Sequence, residues 1–595
     1  MKTISWLVRR QATDLRLPVF CALLLAASSV CAAGQTPAPT SPETDRLVAV
    51  AKMWATVKYF HPYLADRGID WDKALINALP RIRSARDTAD LKAALGTMLS
   101  VLEDPLTRVT SPGETVDVPS EIVPQRMRIH YGLPPHTKGW RGFYSGVIER
   151  SAAPVSVMSH AVGPELSVSI RLSEPVPAGL RLVPAAKVDA DYSADPYPSA
   201  ELRLLAAFRL WGAVHYFFAY KDLMDEDWDA AFARLLPKFV SAANSLEYNL
   251  AVSELVKTLA DSHATVQSAE LSRYFGESTL GLRLRLVDRK PVITEVLDEE
   301  AKRRGVHVGD LLTKLDAESL PERVRRQASY ISGSTQQGLG ILVCQRILNG
   351  PEGSSVSLTV SGDNNPSKEI SLKRSSTYFP SLVPERTGDV VRILEKNIGY
   401  MDMDRLDEDG VSAAFERLRD TAGIIFDLRG RFRPDVHSIA SRLTSRANVT
   451  AAIVNGPVLL EPDAPHTGSD SYSASYFASS VIRQSNLPKY KGKVVVLVDE
   501  RTADEAEYAA LFLESAVKVQ YVGSPSAGVV GESTDLALPG GILVSFSGQD
   551  VRHANGGPLQ RLGIQPNVSA LPTLAGIRQG RDEVLAKALE SFTEE

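Results

Sequence analysis

Residues 46–109 recur at 203–266, an offset of 157 positions, without a gap and with 20 of 64 positions identical. Trp54 answers Trp211, Tyr59-Phe60 answer Tyr216-Phe217, and Tyr63 answers Tyr220. Asp70-Trp71-Asp72 answer Asp227-Trp228-Asp229, Pro80 answers Pro237, and Asp104 answers Asp261. A register held that long means one supersecondary unit made twice, so both copies must accept the same fold. Apolar residues recur at three- and four-residue spacing over 46–60 and 203–218, and again over 90–102 and 247–259, which predicts helices. Two copies are too few for a solenoid. They predict a duplicated helical module with its Trp and Tyr side chains in the core. The copies differ where chemistry could sit: Asp261-Ser262-His263 stands where the first copy has Asp104-Pro105-Leu106.

Ahead of the repeat, Lys2, Arg9, Arg10 and Arg16 precede the apolar run from Leu17 and the small residues Ser28 to Ala33. That order is a secretory leader, with cleavage expected after Ala32 or Ala33 and a periplasmic destination. Two of the three cysteines, Cys21 and Cys31, leave with it, so Cys344 has no partner for an internal disulfide. A proline-rich stretch from Gly34 reads as an extended linker to residue 45. After the leader no apolar run reaches the roughly 18–20 residues of a membrane span. The net charge of −5 on 595 residues provides no basic field for nucleic acid. No histidine or cysteine spacing suits a metal. Between the repeats, 110–200 carries alternating apolar residues and many prolines, with Leu166–Leu172 the clearest strand, which predicts a small β region.

Residues 279–374 alternate short strands with turns: 281–286, 291–296, then Gly305, Gly309-Asp310 and Gly350-Pro351-Glu352-Gly353. From Asn397 strands alternate with helices. Strands are expected at 398–403, 423–430, 493–499 and 519–522, with a helix over 503–517. The continuous apolar run 493–499 reads as a strand buried on both faces. In such open sheets a site lies beyond the carboxyl ends of the strands, which singles out 427–433 and 500–507.

The segment 279–374 resembles a PDZ domain, and with the core it resembles the tail-specific, or C-terminal-processing, protease family in its tricorn-core branch. The motifs are Asp261-Ser262-His263, the PDZ glycines, Asp427-Leu428-Arg429-Gly430, Asp499 to Glu507, Val522 to Gly528, and Leu538-Pro539-Gly540-Gly541. Gly563 to Asn567 matches the family's closing turn, with Asn567 in place of an acid. Together these readings give an α+β multidomain chain: leader 1–33, linker 34–45, helical copy 46–109, β region 110–200, helical copy and cap 201–272, PDZ-like domain 273–375, and an α/β protease core of the ClpP/crotonase-like type over 376–595, of which the resemblance covers about 201–590. It implies a peptide or unfolded-protein substrate and no cofactor. His263 falls at the base and Ser262 at its orienting partner. Gly430 and Glu505, the residue after the nucleophile position, fall at the oxyanion hole. Gln560 falls where some relatives carry glutamate, and Leu280-Gly281-Leu282 falls where a peptide carboxylate is held.

The nucleophile position itself is Asp504, not serine, and Val529 stands near where a second branch carries lysine. A serine mechanism needs a hydroxyl beside a base, so the substitution predicts impaired hydrolysis with peptide recognition kept. Asp504 with Glu507 also has the spacing of a helix capping box. Two other readings stand beside this one: an active serine endopeptidase with its nucleophile elsewhere, Ser526 and His553 being nearby substitutes, and a non-catalytic binder of apolar ligands, as in interphotoreceptor retinoid-binding protein, which resembles the same fold.

Overall fold

The computed structural model describes residues 41–133, 143–176, 189–362, 367–377, 384–462 and 474–592. The expected leader lies outside them. The linker is shorter than expected, because the first helix already begins at Pro42 and runs to Phe60. Proline suits a first helical turn, where its missing N–H has no partner to lose. Among the described residues no helix is long and apolar enough to cross a membrane.

The two copies fold alike and pack on each other. The first is Pro42–Phe60, Trp71–Ser84 and Thr88–Leu99. The second is Ala200–Phe217, Trp228–Ser241 and Ser245–Lys257. Asp70 and Asp227 each cap the following helix, accepting from Lys73 N and Ala230 N. Trp71 Nε1 donates to the Trp54 carbonyl at 3.1 Å, and Trp228 Nε1 to the Trp211 carbonyl at 3.1 Å. Across the pair the contacts are reciprocal. Lys52 of one copy pairs with Asp229 of the other, and Arg209, the counterpart of Lys52, pairs with Asp72. Tyr59 meets its own counterpart Tyr216 edge-on, ring centroids 5.4 Å apart. Ala55 meets its counterpart Gly212, where a Cβ would stand 3.0 Å from the Ala55 methyl. A pseudo-twofold axis therefore runs between the long helices, and one apolar core spans both copies.

The β region between the copies is divided. Arg108–Thr110, Val157–Ala161 and Ser167–Arg171 form a small sheet, while Val123–Tyr131 pairs with Thr450–Leu459 of the C-terminal core. The segment expected to be PDZ-like holds an antiparallel sheet in the order 368–373, 355–361, 311–315, 290–296, 282–287. Its last strand, Leu282–Val287, is an edge that lies beside the helix Gln336–Arg346.

The core sheet runs Val391–Leu394, Ile398–Asp402, Gly423–Asp427, Lys493–Val498, Val519–Gly523, Val568–Ser569. Its first pair is antiparallel and the rest parallel. The central strands are buried on both faces, as their unbroken apolar runs require. A further three-stranded sheet joins cap to core: Thr265–Gln267 pairs antiparallel with Ile542–Ser547, which pairs with Ser533–Leu538.

Candidate active site

That last pairing places the base. Ser545 lies opposite Thr265, and two further steps along antiparallel strands bring Ser547 opposite His263. The Ser547 hydroxyl stands 3.0 Å from His263 Nδ1. It donates to Asp261 Oδ1 at 2.9 Å, while its own N–H donates to Asp261 Oδ2 at 2.8 Å. Because the hydroxyl proton goes to the carboxylate, its lone pair accepts from Nδ1–H, which leaves Nε2 facing the cleft. Asp261 and Ser547 are wholly buried. Gln560 is buried too, and its Nε2 donates to Asp261 Oδ1 at 3.1 Å and to Ser334 Oγ at 3.2 Å. An amide suits this place, since a glutamate would set a second carboxylate against Asp261.

Ser262 does not orient the histidine. Its hydroxyl accepts from Ser334 N at 2.9 Å and its N–H donates to Ser334 Oγ at 2.9 Å, so it clamps the loop before Gln336. Ser262 and His263 sit in a turn that Ala264 N closes on the Asp261 carbonyl at 3.0 Å, and the Ser262 hydroxyl is spent on Ser334 while the imidazole reaches Ser547.

Opposite the imidazole stands Asp504, its Oδ1 3.7 Å from His263 Nε2. Burial by itself would push the His263 pKa down. The facing Asp504 and the charges of Asp261 and Glu507 outweigh it, and the pKa is raised. Asp504 occupies the junction between the strand Lys493–Val498 and the helix Glu505–Ala516, with φ 51° and ψ −113°. A non-glycine residue there is strained. Three hydrogen bonds hold the turn: Thr502 Oγ1 to the Leu428 carbonyl at 2.9 Å, Ala527 N to the Thr502 carbonyl at 2.9 Å, and Asp504 N to the Val529 carbonyl at 2.9 Å.

The capping box does not form. Asp504 makes no side-chain cap, because positive φ turns its carboxylate away from the helix N–H groups. Glu507 is fully buried and accepts from Gly528 N at 2.8 Å, Val529 N at 2.7 Å and the Ser526 hydroxyl. Burial pushes its pKa up to about 7, with those hydrogen bonds opposing. Ser526 is thereby consumed in the loop, and its hydroxyl also accepts from Ile564 N at 2.6 Å. His553 pairs with Glu514 at 2.6 Å and does not reach His263.

At the expected oxyanion hole, the Gly430 N–H already donates to the Leu428 carbonyl at 2.9 Å. Gly430 has φ 146°, and a Cβ would stand 2.9 Å from Asp404 Oδ2. Glu505 lines the cleft beside Asp504, and burial and the Asp504 charge raise its pKa. The cleft between these groups is about 450 Å³, lined by His263, Arg283, Ile341, Arg431, Asp504 and Glu505 among others. Among the described residues no three His, Cys, Asp or Glu side chains converge as metal ligands would.

A second cavity of about 310 Å³ lies between the edge strand Leu282–Val287 and the helix Gln336–Arg346, and it shares Ile341 with the first. Leu280 and Leu282 are buried in the core of this sheet domain, not open to a ligand. Gly281 is required by close packing: a Cβ would stand 2.7 Å from that of Asp298, and its carbonyl accepts from Leu297 N at 2.7 Å. Arg285 ties the edge strand to the core, its guanidinium reaching Asp499 at 3.2 Å and Glu500 at 3.0 Å.

Residues 397–570 match peptidase family S41. No curated protein matches the chain. Among solved structures, mature CPAF complexed with lactacystin is 12% identical over 66% of this chain and 97% of its own, with a TM-score of 0.50. The photosystem II D1 C-terminal processing protease is 17% identical over 64% of this chain and 98% of its own, TM-score 0.39. The tricorn protease is 12% identical over 79% and 46%, TM-score 0.32. The core strands from Ile398 to Val568, the turn at Asp504 and the loop 526–529 all fall inside the matched segment, so it is the α/β core of this chain that is similar to peptidase family S41.

Proposed function

We propose that this chain is an exported, peptide-recognising member of the tail-specific protease family in which the serine-nucleophile mechanism is absent. One observation carries the reading. The residue presented to the oriented imidazole by the strained strand-to-helix turn is Asp504, 3.7 Å away, where the serine mechanism needs a hydroxyl. A carboxylate facing an imidazole favours the imidazolium, and an imidazolium cannot accept a proton from a nucleophile. The substitution removes the nucleophile and disarms its base together.

Peptide recognition is assigned to the groove between Leu282–Val287 and Gln336–Arg346. An edge strand has unpaired backbone groups to offer an extended chain, and the cavity beside it shares Ile341 and Glu500 with the cleft that holds Asp504. The charged lining of the cleft, including Arg283, Arg431 and Glu505, gives no support to an apolar ligand.

Two measurements test the proposal. A fluorophosphonate probe should label no serine, and stoichiometric labelling lost on one Ser→Ala change would refute it. A fluorescent peptide ending in an apolar residue should bind, with affinity at least about tenfold weaker in Ile341→Glu, the scale of burying a charge at an apolar contact. Equal affinity in that variant would remove the groove from the proposal.

A further inference from the structure

Asp504 is not the sole carboxylate at the turn. Glu505 follows it and lines the same cavity. Two carboxylates side by side in one cleft cannot both ionise cheaply, so such a pair holds one proton between its members. The pair has an imidazole on one side, 3.7 Å from Asp504 Oδ1, whose orientation is fixed from behind by Ser547 and Asp261.

We propose that Asp504 and Glu505 are catalytic residues: a proton-sharing carboxyl pair that activates water against a peptide carbonyl, with the imidazolium of His263 facing the oxygen that becomes negative. The inference takes its substrate class from the peptide-recognition reading above.

The chemistry selects water over direct attack. If Asp504 itself added to an amide carbonyl, the product would be a mixed anhydride, and carboxylate leaves far more readily than an amine, so the adduct would revert. With water the step closes. The ionised carboxyl of Asp504 takes one proton as the water oxygen bonds to the carbonyl carbon. The carbonyl oxygen gains the negative charge and faces His263 Nε2–H. As the C–N bond breaks, the protonated Glu505 gives its proton to the departing nitrogen. Asp504 then returns a proton to Glu505. One water and one amide become one acid and one amine, and the pair ends as it began.

The surroundings favour one proton on the pair. Glu532 adds negative charge near Glu505, and Glu507 lies behind the helix's first turn. Asp404, Arg431 and Arg433 line the far wall of the cleft, with His263 on the cap side. Burial and the Asp504 charge both raise the Glu505 pKa, in the direction the mechanism needs.

The test uses the full mature chain with fluorogenic casein across acid and neutral pH. Hydrolysis should be bell-shaped, with its maximum between about pH 4 and 6.5, the ordinary carboxylate and imidazole values. Asp504→Asn and Glu505→Gln should each lower the rate by about 100-fold or more, with circular dichroism confirming that both variants fold. The mass of acid-quenched enzyme should show no acyl adduct. Hydrolysis that survives Asp504→Asn, or an acyl adduct, overturns the pair. No hydrolysis at any pH while the apolar-tailed peptide still binds also overturns it and leaves the recognition reading standing. Loss of both hydrolysis and binding in the unmodified chain overturns both.

Discussion

At the scale of single residues, the base is held by a hydroxyl inserted between it and a buried acid. Asp261, Ser547 and His263 form a relay in which each proton position follows from the next partner. The Ser547 lone pair favours Nδ1–H, and a hydrogen bond to a charged group is worth about 1.5–3 kcal/mol. Ser547→Ala should therefore lower the His263 pKa by about one pH unit, read by imidazole NMR titration; an unchanged titration would remove Ser547 from the relay. Asp261 and His263 were visible as a motif in the sequence. Ser547 was not, because 284 positions separate it from His263 and a serine closing a strand has no local signature.

At the scale of elements, the strand-to-helix turn shows how a spacing rule can be overridden. Asp504 and Glu507 have capping-box spacing, but that motif needs an extended backbone at its first residue. Here φ is 51°, and Glu507 instead binds the 526–529 loop. Its pKa near 7 has a consequence for stability. The folded value lies above the unfolded one, so the folded state holds the extra proton. The stabilisation is complete below the unfolded value and is lost as pH rises through about 7. The loss amounts to about 3 kcal/mol. Glu507→Gln should remove this decline, so urea midpoints of the two proteins, alike in acid, should separate as pH rises to neutral, with the variant keeping the higher one. Parallel pH profiles would show that Glu507 is not the group responsible. The helices and core strands were legible to within a few residues, because their apolar periods are long and unbroken: the core strand expected at 493–499 spans Lys493–Val498, and the helix expected at 503–517 spans Glu505–Ala516.

At the scale of the molecule, the duplication builds one body, not two. Its reciprocal ion pairs are equivalent in sequence but not in surroundings. Lys52–Asp229 is partly exposed, at 30% and 40% of side-chain area, whereas Arg209–Asp72 is buried, at 1% and 8%. Removing one partner from an exposed pair costs about 0–1 kcal/mol. Breaking a buried pair costs up to about 3–5 kcal/mol, and without Arg209 the Asp72 carboxylate keeps only Lys58, at 3.7 Å. Arg209→Ala should thus lower the thermal midpoint several times more than Lys52→Ala. Equal shifts would mean that the inner pair is not load-carrying and that the copies are held by their apolar core alone. The β region tells the same story of shared construction, since Val123–Tyr131 completes a sheet with Thr450–Leu459.

Local chemistry decided what could be read along the chain. The repeat register, the apolar runs, and the carboxylate at the nucleophile position are properties of neighbouring residues, and no later contact can alter them. The long-range pairings were settled elsewhere. The register of Thr265–Gln267 on Ile542–Ser547 sets Ser547 behind the base. The contact between Ser262 and Ser334 turns Ser262 away from it. Each is a hydrogen bond between segments far apart in sequence, and a donor's choice among distant acceptors depends on which atoms the packed core brings within about 3 Å.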